Sequence, residues 1–278
     1  MNSIEFSILV CGGSLAAGFF GSLTGLGGGV VIVPLLTLLF GVDIRYAIGA
    51  SLVSVISTSS GAASAYVREG YSNLRIGMFL EIATTAGALG GVFLAARLSP
   101  SPIAVIFGFV LVYSAYQAIR PPSQGGDTAG GDPLAAILRM DASYPAVDGP
   151  KAYHVHNVAG GFALMFVAGI LSGLLGIGSG AVKVLALDRV MRIPFKVSTT
   201  TSNFMIGVTA AAGAGVYLSR GYIDPGVAMP VMVGVLGGAV LGAKVLPRIR
   251  TRILRVVFAA IVVALGVELI YNGWTGRI

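Results

Sequence analysis

The sequence predicts an all-α polytopic membrane protein. We read it as two homologous four-helix repeats, about eight transmembrane helices in all, with glycine-broken half-helices near the midplane. Three observations predict this class. The 278 residues are 55% hydrophobic and only 10% charged, against about 25% charged in an average soluble domain. Mean hydropathy is +0.89, so polar side chains are too few to cover a water-facing globule. Apolar runs of roughly 20 residues, the length that crosses a bilayer, recur along the chain, and its two halves repeat each other at one fixed offset.

The runs come in order. Phe6–Leu23, Ala47–Val67, Leu74–Ala96 and Pro102–Ile119 lie in the first half. Val158–Leu175, Val197–Leu218, Pro225–Leu246 and Leu254–Tyr271 lie in the second. Two shorter runs, Val30–Phe40 and Ala181–Val190, follow glycine-rich breaks. They are too short to cross alone and are expected as half-helices or as continuations of a broken helix. Met1 to Phe6 carries no Lys or Arg, so the first run reads as a retained helix and not as a secretory signal. The 41 glycines suit close approach of transmembrane helices.

Between the halves, residues 121–157 are rich in Gly, Pro and Asp, the composition of an extramembrane linker. Leu134–Met140 has the makings of a short helix. The expected organisation is therefore 1–120, first transmembrane repeat; 121–157, linker; 158–278, second transmembrane repeat.

The repeat is read by adding 151 to a first-half position. Gly18, Gly25, Gly27 and Gly29 meet Gly169, Gly176, Gly178 and Gly180. Ser51 meets Ser202, Tyr66 meets Tyr217, and Gly70-Tyr71 meets Gly221-Tyr222. Met78, Gly87, Gly91, Arg97 and Phe107 meet Met229, Gly238, Gly242, Arg248 and Phe258. Glycines coincide easily by chance, but a gapless register that includes Tyr, Met, Arg and Phe marks a duplication. Duplicated halves are a common plan of secondary transporters, with the substrate between the repeats.

The strongest local signal is Gly25-Leu26-Gly27-Gly28-Gly29 and its counterpart Gly176-Ile177-Gly178-Ser179-Gly180. Glycine clusters of this kind unwind a helix. Unwound backbone inside a membrane is costly unless it is buried in protein or lines a wet cavity. A matched break in each half therefore points to a substrate site, and free N–H groups at the following half-helix favour an anion. Close helix packing at glycine is the plainer alternative.

Side chains extend this candidate site. Ser51 and Ser202 share a register, and Thr200, Thr201 and Asn203 flank the second. Hydroxyls and amides donate to oxyanions while staying neutral, although Ser and Thr also bond to their own helix carbonyls. Lys183 lies in an apolar run just past the second break, where a buried ammonium suits an anion or a titration step; a snorkelling lysine would look the same. Its register mate is Ile32. Glu81, whose mate is Met232, is the carboxylate placed to carry a coupling proton. Arg45 and Lys196 share a register before the polar helices, as anion-steering or topology charges.

Other classes fit less well. Cys11 is the single cysteine and reads as apolar packing. His154 and His156 alone make a weak metal signal, so we expect no metal and no cofactor. The net charge of +7 falls in short loops without a basic-aromatic stripe, which excludes nucleic acid and fits cytoplasmic loops. No nucleophile, base or metal set marks an intramembrane enzyme, and no catalytic residue is assigned.

At these residues the chain resembles the TauE/SafE family, the sulfite and organosulfonate exporters also called the toluene-sulfonate permease group. The resemblance rests on Gly18, Gly21, Gly25, Gly27, Gly28 and Gly29 with Val33-Pro34 downstream, and on Gly49-Ala50-Ser51-Leu52. It continues in Gly169 to Gly180, Pro194-Phe195-Lys196 and Thr201-Ser202-Asn203. Ser179 stands where the family usually has Gly, and Leu185 where the first half has Pro34. The resemblance implies a multi-pass inner-membrane carrier of sulfur oxyanions or related organic anions, an exporter working by alternating access. An uptake permease and an anion channel share the same features. The implied partners are a small anion, the lipid bilayer, and a coupling proton in one variant; a homodimer is one assembly open to it.

The loops Asp188–Lys196 and Pro247–Arg255 hold most of the second-half cations. Two helices separate them, so they share a side, the cytoplasmic one by the positive-inside rule. Parallel and inverted arrangements of the repeats both remain open on this pattern.

Overall fold

The computed structural model describes residues 3–24, 29–68, 70–119, 131–146, 149–245 and 251–277. Long helices dominate: α1 (Ser3–Thr24), α3 (Ile44–Arg68), α4 (Leu74–Arg97), α5 (Pro100–Ile119), α7 (Val158–Leu175), α9 (Phe195–Ser219), α10 (Pro225–Val245) and α11 (Thr251–Trp274). Two short helices, α2 (Gly29–Pro34) and α8 (Gly180–Leu185), each run on into a π-helical turn, Leu35–Leu39 and Ala186–Val190. The first break, Gly25, Gly27 and Gly28, lies outside the described residues.

Among the described residues, five helices are long and apolar enough to cross a membrane: α4, α5, α7, α10 and α11. Large apolar side chains such as Ile82, Phe93, Phe109 and Val233 stand more than half exposed on their outer faces, a surface that suits lipid and not water. Helices α3 and α9 are less apolar than the others because Ser and Thr interrupt them. These two pack against each other inside the bundle, so their polarity faces protein.

The offset of 151 read from the sequence recurs in the backbone. The π-helical turns occupy equivalent positions. Gly70 and Gly221 both turn at φ +74°, and Gly41 at +64° is matched by Arg192 at +55°. Packing repeats as well. A side chain at Gly169 would collide with the Thr84 carbonyl, and one at Gly18 with the Val235 carbonyl, which is the same contact in each half. Helix α4 thus lies along α7, α10 along α1, and the pairs α3–α9 and α5–α11 complete the set.

Contacts also fix direction. Phe6 meets Phe40 with ring centroids 5.7 Å apart, while Gly13 faces Leu35, so α2 runs back along α1. In the second half His156 N donates to the Met191 carbonyl (3.1 Å), so α8 with its π turn returns to the end where α7 began. Each short element is therefore the returning arm of a hairpin and not the continuation of a broken helix. One end of the bundle gathers Phe6, Phe40 and Arg45, whose guanidinium donates to the Leu98 carbonyl (2.9 Å). The other gathers Asn73, whose N–H donates to Thr201 Oγ1 (3.0 Å), and Thr200, whose hydroxyl donates to the Tyr71 carbonyl (3.0 Å). We call these the Arg45 end and the Asn73 end. The first hairpin enters from the Arg45 end and the second from the Asn73 end, so the two units run in opposite senses.

Residues 131–157 hold more regular structure than the one short helix expected there. They form one short helix, α6 (Pro133–Ile137), then an antiparallel hairpin of β1 (Ala142–Ala146) and β2 (Gly149–Tyr153), with Ala142 opposite Tyr153. Pro145 and Pro150 face each other in it, which is tolerated because both strands are edges. Asp132 ties the segment to the bundle: its carboxylate accepts from Leu134 N (2.9 Å) at the start of α6 and from Val158 N (2.8 Å) at the start of α7. These two N–H groups hold the carboxyl below its ordinary value. Asn73 Nδ2 donates to the Met140 carbonyl (3.0 Å) and to Tyr153 Oη (2.8 Å). Ala135, Met140, Tyr153 and Val155 share one apolar cluster with Ile76, Leu80 and Met191, so the segment is seated on the Asn73 end.

Candidate functional site

The second hairpin tip is built from backbone that only special residues adopt. Gly176 ends α7 at φ +69° with its N–H on the Ser172 carbonyl (2.8 Å). Gly178 follows at φ +68° and Ser179 at φ +51°. A serine there pays for a conformation that non-glycine residues rarely take. Residues 172–180 are all buried, so the tip sits inside the bundle. A Cβ at Gly176 would lie 2.7 Å from Ile48 Cγ2 on α3, and one at Gly178 would lie 2.7 Å from Ile206 Cγ2 on α9. The tip is therefore wedged between the two polar helices.

The first hairpin reaches the same place. A Cβ on Gly29 would lie 2.9 Å from Ser51 Oγ and 3.4 Å from the Gly176 carbonyl oxygen. Ser51 joins the hairpins: its hydroxyl donates to the Gly176 carbonyl (2.8 Å) and lies 3.4 Å from the Gly29 carbonyl. Of the predicted glycines, Gly29, Gly176, Gly178 and Gly180 thus come together at the centre of the bundle, while Gly25, Gly27 and Gly28 lie outside the described residues.

The predicted side chains divide. Ser179 Oγ and Ser202 Oγ are buried without a hydrogen-bond partner among the described residues, as is Ser172 Oγ one turn before the tip. Unpaired buried hydroxyls are uncommon and leave donors free for a guest. Thr200 and Thr201 instead hold the α3–α4 connection through Tyr71 and Asn73, away from the tip. Asn203 is half-buried on α9. Ser54, Thr58 and Ser59 return their hydroxyls to carbonyls of α3, the common fate of Ser and Thr in membrane helices.

Lys183 does not snorkel. It is fully buried, and its ammonium donates to Thr209 Oγ1 (2.5 Å) and to the Met205 carbonyl (3.2 Å). Both acceptors flank Ile206, the residue that touches Gly178. Thr209 in turn donates to Glu81 Oε1 (2.6 Å), which also accepts from Thr85 (3.2 Å). Glu81 Oε2 is buried with no partner among the described residues. The sequence marked Lys183 and Glu81 separately. Its one sign of Thr209, which links them, is the spacing of Thr209 two turns past Ser202 on one helix.

Arg45 and Lys196, a register pair in the sequence, stand at opposite ends. Lys196 Nζ lies 4.0 Å from the centre of the Tyr71 ring, and the Arg45 guanidinium 5.8 Å from that of Tyr222. No group of three or more His, Cys, Asp or Glu side chains suited to a metal ion occurs among the described residues. His154 is engaged with Asp141, 3.0 Å away.

The chain has recognisable relatives among known proteins. The family model described as Sulfite exporter TauE/SafE matches residues 10–269. The chain is 28% identical to the Probable membrane transporter protein YunE of Bacillus subtilis, over 97% of this chain and 99% of that protein. It is 27% identical to YdhB of the same organism over 79% of this chain and 82% of that protein. A Probable membrane transporter protein of Xylella fastidiosa is 25% identical over 99% of each. No solved structure matches the chain.

Proposed function

Because the chain belongs to the Sulfite exporter TauE/SafE family, we propose that it is a multi-pass secondary transporter that exports small sulfur-containing or organic anions of the sulfite and sulfonate class by alternating access. The curated relatives are named as membrane transporters. The observation that carries the reading is the meeting of two oppositely directed hairpins at Ser51. Non-helical backbone at that depth is tolerated where it lines a substrate path. The buried hydroxyls of Ser179 and Ser202 and the ammonium of Lys183 give an oxyanion neutral donors and one positive charge.

In this reading residues 1–120 and 158–278 are two four-helix repeats, inverted in the membrane, and 121–157 form a linker domain outside it. Eight long helices build the carrier, with α1–α2 and α7–α8 as the hairpins that bracket the anion. Among the described side chains the Asn73 end collects Arg75, Arg139, Lys151, Arg189, Arg192 and Lys196, against Arg45, Arg97, Arg220 and Arg277 at the other. The positive-inside rule then makes the Asn73 end and the linker cytoplasmic. Rocking of one repeat against the other opens the tips to each side in turn.

The test is direct. Purified protein is screened by thermal stabilisation against sulfite, sulfate, thiosulfate, sulfoacetate, taurine and small carboxylates, since a ligand of the native state raises the melting temperature. The anions that stabilise are then followed as flux into proteoliposomes, with Lys183→Ala and Asn203→Ala beside wild type. Saturable flux of a sulfur oxyanion, weakened in both variants, is expected. Absence of stabilisation and flux with every anion would overturn the reading.

A further inference from the structure

From the hydrogen-bonded series Lys183–Thr209–Glu81 we propose that this chain couples anion binding to the uptake of one proton on Glu81, with Lys183 shared between the carboxylate and the transported anion. The inference rests on the anion-carrier reading above and names its coupling ion; anion and proton cross together without net charge, so export runs only down an outward anion gradient.

The geometry supplies the argument. Lys183 and Glu81 come from different helices, α8 and α4, and meet through one hydroxyl on α9, at 2.5 Å and 2.6 Å. All three side chains are at least nine-tenths buried. Opposite charges so placed compensate each other, and removing one leaves the other costly in a low-dielectric interior. With the site empty, the ammonium and the ionised carboxylate sum to zero. A monovalent anion entering beside Ser179 would leave the site net negative unless a proton also arrives. Protonation of Glu81 turns the carboxylate into a neutral acid and releases Lys183, through Thr209, to face the anion. Empty and loaded sites are then both neutral. Glu81 Oε2, unpaired and buried, is the oxygen left to receive the proton.

Among the described residues no other charge competes at this place. Helix α7, packed on α4, has no titratable side chain. Of the α9 side chains, Lys196 lies on Tyr71 at the Asn73 end, and the Tyr217 hydroxyl lies 3.4 Å from the Gly173 carbonyl. Beyond α8, Asp188 is engaged with Arg189 at 3.5 Å. On α4 itself, Arg75 donates to the Arg139 carbonyl (3.2 Å) at the Asn73 end, and Arg97 ends the helix at the other. The equivalent position in the first unit holds Ile32, Thr58 and Met232, and Thr58 bonds only within α3. One coupling site per chain follows, hence one proton per anion.

The experiment measures anion binding by purified full-length protein at pH 6 and pH 8, with sulfite, methanesulfonate and isethionate as probes, in wild type, Glu81→Gln and Lys183→Met. Methanesulfonate and isethionate stay monovalent across that range, so they report the protein's own proton. Wild type is expected to bind up to about tenfold more weakly per pH unit between pH 6 and pH 8. It should take up one proton per anion from a lightly buffered solution containing a pH-indicator dye. Glu81→Gln mimics the protonated acid, so at pH 8 it should bind more tightly than wild type and take up less than one proton per anion. Lys183→Met should lose binding at both values. Wild-type binding without proton uptake, or a Glu81→Gln variant as pH-dependent as wild type, would overturn the coupling and leave the carrier reading standing. Binding by neither wild type nor Glu81→Gln would overturn both. Thermal melting of the two variants and their double supplies a control for folding: each single change should cost more than the double, and additive losses would contradict the pairing.

Discussion

Ser51 donates a 2.8 Å hydrogen bond to the carbonyl of Gly176, which joins a helix of the first unit to the hairpin tip of the second. The same tip ends α7, so the bond fixes where one helix stops against the other half of the molecule. Ser51→Ala should remove one buried bond and leave the Gly176 carbonyl unpaired, at about 1–3 kcal/mol. A lower melting temperature with a larger proportional loss of flux is expected. Flux unchanged at equal protein level would place the substrate elsewhere.

Gly176 and Gly221 separate conformational strain from crowding. Both lie at positive φ, +69° and +74°. A Cβ at Gly221 meets nothing within 4 Å, whereas one at Gly176 meets Ile48 Cγ2 at 2.7 Å and the Ile48 carbonyl oxygen at 2.9 Å. Gly221→Ala should cost about 1–2 kcal/mol from backbone strain alone. Gly176→Ala should cost distinctly more, read as thermal melting in the same detergent. Equal losses would mean that the tip is not wedged against α3.

Thr209 can be tested by one atom. Thr209→Val keeps the shape and removes the hydroxyl between Lys183 and Glu81, leaving two buried charges without their bridge. A loss of roughly 2 kcal/mol or more is expected, with Thr209→Ser restoring most of it. Melting temperatures of the three proteins decide the matter, and a Val variant as stable as wild type would dismiss the bridge.

Asp132 gives an acid signature to the linker. Its carboxyl is held below the ordinary 3.8 by the N–H groups of Val158 and Leu134. A depressed folded-state value means stability that is present above pH 3.8 and lost as pH falls through the folded value. An acid-resistant protease such as pepsin should therefore cut residues 131–157 faster as the pH is lowered through that range. Asp132→Asn should be cut faster already at neutral pH, tested there with a neutral protease, and should lose the acid dependence.

Much of this molecule was legible beforehand, and the reasons are specific. Helix extents followed from apolar length, because α7 ends where Gly176 adopts positive φ and α4 starts where Asn73 accepts from Ile76 N (3.2 Å). The duplication was legible because each half needs the same special backbone at Gly70 and Gly221. The inverted sense of the units was not. It depends on whether α2 returns along α1 or extends it, and only contacts such as Phe6 with Phe40 decide that. The β-hairpin was hidden by Pro145 and Pro150, which argue against strands in general. At the site, glycine chemistry announced the second tip, but the fate of each hydroxyl was open. Thr200 and Thr201 have the same composition signal as Ser202, yet they face the α3–α4 connection because helix phase turns them there. Lys183 and Glu81 lie far apart in sequence, so their joining through Thr209 required the fold.

The central claim is that the two hairpins enclose an anion between α3 and α9. A cryo-electron microscopy structure in lipid nanodiscs with whichever sulfur oxyanion stabilises the protein tests it most directly. The account predicts density for the anion within hydrogen-bonding distance of Ser179 and Ser202, on the side facing Lys183. An anion bound at the lipid face or in an end loop, with the tips packed unchanged against Ser51, would contradict it.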